Sequence, residues 1–166
     1  MIFYCPHCWK ELPDGEAFCP YCRKKISSWD VKTFTDKLLG ALCHPEPTTQ
    51  TRAVYILGKR KSEEALGPLA RLFRQSKNPF LKSEIVAAAG KIGGSEALAF
   101  VVQALRQDSF MVRSEAAHAL GGFVGDHTAK RALAAALEDP SPYVRESARK
   151  AWERLQCAAT ASPSRR

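Results

Sequence analysis

The sequence predicts an all-α fold: about four stacked helix pairs, preceded by a small module held by four cysteines. One observation is a motif of small and apolar residues that recurs at offsets of 32, 31 and 32 between residues 50 and 153. A second is the placing of four of the six cysteines in two C-x2-C pairs before residue 23. The third is the lack of apolar/polar alternation beyond them, which leaves no competing strand pattern. The chain has 166 residues, 45% hydrophobic and 25% charged. That suits one ordinary domain with an appendage and excludes a wholly disordered chain. No stretch approaches the roughly 18 consecutive apolar residues of a membrane span; the nearest, from Ala97 to Val102, stops at Gln103. The sequence reaches Cys5 without the charged and apolar regions of a secretory signal, so a cytoplasmic location is expected.

Taken in order, the first element is the cysteine cluster. Cys5-Pro6-His7-Cys8 and Cys19-Pro20-Tyr21-Cys22 are separated by ten residues. Each C-x2-C turn presents two sulfurs from one side, so four thiolates converge on one point, which is the tetrahedral sulfur ligation zinc favours. Disulfides would need an oxidising compartment, and a redox C-x-x-C normally occurs once, beside a βαβ unit. With all four positions filled by cysteine, no coordination site stays open for water or substrate, and one structural Zn2+ is expected. His7 reads as a surface residue beside a complete ligand set. The residues Trp9 to Phe18 read as strand, turn at Pro13 to Gly15, and strand, a hairpin between the knuckles.

The halves Phe3-Tyr4-Cys5-Pro6-His7-Cys8 and Phe18-Cys19-Pro20-Tyr21-Cys22 resemble the short zinc-ribbon family, over residues 1–25. The glycine that often follows each knuckle in that family is replaced by Trp9 and Arg23. We read residues 1–26 as the ribbon, 27–32 as a linker, 33–156 as the helical array and 157–166 as a disordered tail.

The array follows from aligning Gln50 to Gly58, Lys82 to Gly90, Arg113 to Gly121 and Arg145 to Glu153. Between these, Ala65, Ala97 and Ala129 recur every 32 residues, as do Leu69, Val101 and Leu133, and Phe73, Leu105 and Leu137. Apolar residues at i, i+3, i+4 and i+7 mark two amphipathic helices per unit. Gly58, Gly90 and Gly121 read as closing the second helix, and Asn78-Pro79 and Asp139-Pro140 as breaks between helices. One such pair cannot bury its apolar face alone, so neighbours must stack. Alanine-rich seams such as Ala87 to Ala89 and Ala132 to Ala136 let backbones approach.

The array resembles the HEAT-like repeat family named after phycobilisome lyases, over residues 33–156. The third unit carries the likeness best, in Asp108, Val112, Arg113, Ala116, Ala117, Ala119, Leu120, Gly121, Gly125 and Asp126. The fourth keeps Asp139, Val144, Arg145 and Ala148, then ends as a capping repeat would. Gln50 and Lys82 stand at the arginine position of the first two. The resemblance implies a HEAT-like α-solenoid. Within it, Asp139 with Arg145 and Asp108 with Arg113 are expected to form a ladder tying successive repeats.

If the second helices line the concave face, as the resemblance implies, the groove is formed by Arg52 and Tyr55; Phe80, Ser83, Glu84 and Ala87; Phe110, Met111, Glu115 and His118; Tyr143, Glu146 and Lys150. Phe80, Phe110 with Met111, and Tyr143 recur at the start of each second helix, a row able to anchor a partner helix or peptide. The alternative is that each packs on its own preceding loop. The chain carries a formal net charge of +8. Residues 33–93 hold ten Lys and Arg against five Asp and Glu, and residues 94–156 eight against eight. Arg23, Lys24 and Lys25 with Lys59, Arg60 and Lys61 could contact phosphates without reading sequence; against this, Glu84, Glu115 and Glu146 lie in the groove.

Three enzyme classes share such architectures. Deoxyhypusine hydroxylase-like arrays bind di-iron through His-Glu pairs, whereas His7, His44, His118 and His127 are followed here by Cys8, Pro45, Ala119 and Thr128. A bilin lyase needs a tetrapyrrole cleft and usually a longer array. HEAT-like alkylpurine glycosylases use a positive cleft with tryptophans, and none of Trp9, Trp29 and Trp152 falls in the expected groove. No Ser/His/Asp set, phosphate loop or carboxylate pair stands in their place. The sequence thus reads as a non-catalytic, cytoplasmic adaptor that binds a protein through its concave face. Nucleic-acid association through the basic half is the alternative, and bilin-lyase-like action a more distant one.

Overall fold

Proline and glycine punctuation sets the helix boundaries. In the computed structural model, which describes residues 3–12 and 15–160, the helices are α1 (Phe34–Ala41), α2 (Pro47–Lys59), α3 (Leu66–Gln75), α4 (Pro79–Ile92), α5 (Gly94–Ala104), α6 (Phe110–Leu120), α7 (His127–Ala136) and α8 (Pro142–Thr160). Proline opens α2, α4 and α8, where the missing N–H has no partner to lose. Side chains cap two of the other starts: Thr33 and Asp36 form a reciprocal capping box on α1, and Asp126 Oδ1 accepts from Thr128 N at 2.7 Å and Ala129 N at 3.0 Å on α7.

These helices form four pairs, and the second members, α2, α4, α6 and α8, pack in a continuous layer far more closely than the first members do. Gly58, Gly90 and Gly121 are the reason. A Cβ on Gly58 would lie 2.7 Å from that of Ala88, one on Gly90 2.7 Å from Ala119 Cβ, and one on Gly121 3.0 Å from Ala151 Cβ. They were expected as helix terminators; Gly121 is the C-cap of α6, though with right-handed φ, whereas Gly58 and Gly90 lie inside their helices and serve close approach of the next one. The left-handed turns fall to Gly93, Gly94 and Gly125. Close spacing on one layer and wider spacing on the other bend the array, with the second helices innermost. Val54, Leu57, Leu69, Ile85, Val101, Val112, Leu120, Leu133, Val144 and Leu155 form one continuous core through all four pairs.

Neither expected Asp–Arg pair forms among the described residues; one Arg–Asp pair of different partners joins the third repeat to the fourth. Arg113 does not hold Asp108 by its carboxylate. Its Nε and Nη2 grip Asp139 of the following repeat at 2.8 and 3.1 Å, while Nη1 takes the carbonyls of Gln107 and Asp108. Arg145 likewise caps the carbonyls of Asp139 and Pro140 and leaves the Asp139 carboxylate to Arg113. One repeat earlier, Lys82 Nζ donates to Gln107 Oε1 at 3.0 Å.

Two further expectations change. Strands β1 (Phe3–Tyr4) and β2 (Glu11–Leu12) pair around the first knuckle, and Phe18 bridges Lys25 around the second, so each knuckle sits in its own loop, and among the described residues no strand pairing joins the segments between them. The expected turn at Pro13 and Asp14 lies outside the described residues. At the other end α8 continues through Thr160, so residues 157–160 of the expected tail are helical; the rest of that expectation, on residues 161–166, lies outside the described residues.

Candidate functional site

The two cysteine knuckles are built alike. Trp9 N donates to Cys5 O and Arg23 N to Cys19 O, both at 2.8 Å, and Cys5 N and Cys19 N donate to Lys10 O and Lys24 O at 2.9 and 3.0 Å. Trp9 and Arg23 take left-handed φ values of 61° and 59°, the conformation that glycine usually supplies there. The turns bring Cys5, Cys8, Cys19 and Cys22 together with all sulfurs within 4.8 Å of one another, a group that could hold a metal ion. Backbone N–H groups of His7 and Cys22 point at Cys5 Sγ and Cys19 Sγ at 3.4 Å, softening thiolate charge. Burial pushes the Cys8 thiol up to about 12. Burial also raises Cys19, but the N–H groups of Cys22 and Tyr21 outweigh it and hold that thiol at about 6.

His7, expected at the surface, is half-buried. Its Nε2 lies 3.0 Å from Lys25 O and 3.2 Å from Ser28 Oγ, and its ring meets Trp29 edge-on. The segment expected as a linker contains a 3-10 turn, Ile26–Trp29. Trp29 lies over α1, where a Cβ on Gly40 would come within 2.6 Å of the indole. Trp9 Nε1 donates to Gly40 O at 3.3 Å, and its ring meets those of His44 at 4.4 Å and Trp29 at 6.0 Å. The cysteine module is thus seated on the first helix pair. Sequence reasoning missed these residues; the signal was a tryptophan spending left-handed strain where glycine is usual.

On the inner layer, Phe80 and Tyr143 are about two-thirds exposed (66% and 67%), and Tyr55 and Phe110 about half. Phe110 stacks on Tyr143, centroids 5.4 Å apart, across the gap between two repeats. Lys91 lies over the Tyr55 ring, and Tyr55, Arg52 and Glu84 line one depression. Met111 is half-buried. Glu115 meets His118 at 3.3 Å, and Arg154 reaches from α8 to His118 O. Arg23, Lys24, Lys25, Lys59, Arg60 and Lys61 are all exposed, and Arg60 lies over the Phe34 ring. No hydrogen bond, ion pair or ring contact joins the first three of these to the last three among the described residues.

Stacked helix pairs with a glycine–alanine seam and an inter-repeat Arg113–Asp139 pair define a repeat solenoid. The family of HEAT repeats matches at residues 35–121 and, overlapping, at 74–153, and the chain belongs to that family. No curated protein matches it significantly. Among solved structures, human deoxyhypusine hydroxylase in complex with glycerol is similar at 27% identity and a TM-score of 0.64, over 76% of this chain and 45% of that one. The chain therefore spans less than half the length of that enzyme. Membership suggests a repeat-type, protein-binding scaffold. No described helix is long and apolar enough to cross a membrane.

Proposed function

We propose that the chain is a non-catalytic adaptor that binds a protein partner through the inner face of its repeat array, with a structural zinc module at one end. The observation that carries this is the row of exposed rings at the starts of α4, α6 and α8, with Phe110 and Tyr143 stacked across a repeat boundary. Exposed aromatics in register are costly on a surface with no use for them and are typical anchors at interfaces. The likeness to a hydroxylase supports the fold; the His-Glu pairs its chemistry was expected to need are missing from this sequence. For the metal, Cys5–Cys22 and Cys8–Cys19 sulfur separations of 3.7 and 3.6 Å suit the edge of about 3.8 Å of a tetrahedron with zinc–sulfur bonds near 2.3 Å. Zinc there would be held by Cys5, Cys8, Cys19 and Cys22 and would fold the module.

The test is capture of partners by the tagged full chain from its native extract, with and without nuclease. A stoichiometric partner that survives nuclease and is lost with Phe110→Ala plus Tyr143→Ala supports the reading, and one indifferent to these changes overturns the inner-face assignment. A second reading rests on the six exposed cations of residues 23–25 and 59–61, none in an ion pair among the described residues. It predicts recovery of nucleic acid, with binding that falls steeply as salt rises.

A further inference from the structure

The outer layer carries a feature that the inner-face reading does not use. Between α3 and α5, the gap is filled by Phe73 and Phe100, whose rings meet edge-on with centroids 5.1 Å apart. One repeat on, the 32-residue register replaces Phe73 by Leu105 and Phe100 by Ala132. The gap between α5 and α7 is left open as a pocket of about 370 Å3. Val102, Leu105, Ala132 and Ala135 form its apolar lining, and Arg106 and Arg131 stand on either side of it. Both arginines are exposed, and neither guanidinium is in a hydrogen bond or ion pair among the described residues. The one carboxylate in the lining, Asp139, is already taken by Arg113 and Ser141 N.

We infer that this outer pocket is a docking site for an acidic peptide segment of a second protein, which inserts one phenylalanine- or leucine-like side chain where the repeat leaves out its own ring and sets flanking carboxylates against Arg106 and Arg131. The space suits such a side chain because two rings fill the equivalent gap one repeat earlier. Two guanidiniums without side-chain partners favour carboxylates bidentately, and the lining offers them no free carboxylate of its own. An adaptor needs two contact surfaces, and this one lies on the layer opposite the exposed ring row.

The experiment is selection from a displayed random-peptide library on the immobilised full chain, with the winners then measured by fluorescence anisotropy. Sequences combining an aromatic or leucine anchor with two or more Asp or Glu are expected. Their affinity should fall at least tenfold on Ala132→Phe, which restores the ring of the preceding repeat. Arg106→Glu with Arg131→Glu, at exposed positions that leave the core untouched, should give a similar loss, so the result does not depend on Ala132→Phe folding. Phe110→Ala should leave this binding unchanged, which separates failure here from failure of the inner-face reading. Recovery of no peptides, of basic ones, or of peptides that bind both pocket variants as well as the parent overturns the proposal.

Discussion

Arg113 and Asp139 join two consecutive repeats through a two-pronged ion pair, Nε to Oδ2 at 2.8 Å and Nη2 to Oδ1 at 3.1 Å, with side chains only 15% and 11% exposed. The same guanidinium holds two loop carbonyls of its own repeat, so one side chain fixes both a turn and the joint beyond it.

Breaking that joint should be costly. Arg113→Ala strands a largely buried carboxylate and is expected to lower unfolding free energy by about 1–3 kcal/mol. The Arg113 bond, against burial and helped by Ser141 N–H, holds the Asp139 carboxyl below its ordinary value. A depressed folded pKa gives stability that is present above the unfolded value of about 3.9 and is lost as pH falls through the folded one. The stability gap between the parent and Asp139→Asn, from urea melts, should therefore be constant above about pH 5 and shrink below pH 4. A gap unchanged at pH 3 would refute it.

Glycine to alanine inside a helix normally gains about 0.5–1 kcal/mol. Here Gly58→Ala and Gly90→Ala should lose stability instead, by about 1–3 kcal/mol, because the added methyl would sit 2.7 Å from the facing alanine Cβ. Gly67→Ala, in α3 with nothing within 4 Å, is the control expected to be neutral or stabilising. Thermal melts of the three variants decide it.

Zinc analysis should find about one equivalent per chain, and a strong chelator should unfold the cysteine module. Because Trp9 and Trp29 lie between that module and α1, their fluorescence should change on chelation while most helical circular dichroism persists. Gly40→Val should reproduce the fluorescence change with zinc still bound. A chain that holds no zinc, or tryptophans blind to its removal, would count against the metal and its coupling to the array.

Phe110 and Tyr143 form their stack at the surface, so replacing either by alanine should cost less than about 1.5 kcal/mol of stability. Partner binding should fall much more, and a double-mutant cycle on affinity should show the two losses to be non-additive. Additive losses would mean the rings act as separate contacts.

The array was legible because its register is written in local terms: small residues every 32 positions, prolines and asparagine at helix starts, and apolar periodicity within each helix. The four cysteines were equally legible from spacing alone. What escaped was tertiary. Gly58 looks the same in sequence whether it ends a helix or admits Ala88, and Arg113 has an aspartate five residues before it and another in the next repeat, with only the packing to choose between them. Trp9 and Trp29 gave no periodic signal, since their partners lie on an element 31 and 11 residues away.

The joints along the array are graded. Among the described residues no side-chain hydrogen bond crosses from α2 to the following repeat, where Gln50 is spent on His44 O of its own loop; a single Lys82–Gln107 bond, from an ammonium to a neutral amide, crosses the next; and the last is crossed by Arg113–Asp139, Ser114–Ser147 and Arg154–His118. Spontaneous opening should accordingly begin at the first helix pair and travel toward α8, visible as a slope of amide-exchange rates along the chain. The cysteine module is seated at the loose end of that slope, where loss of the proposed zinc would set the fraying free.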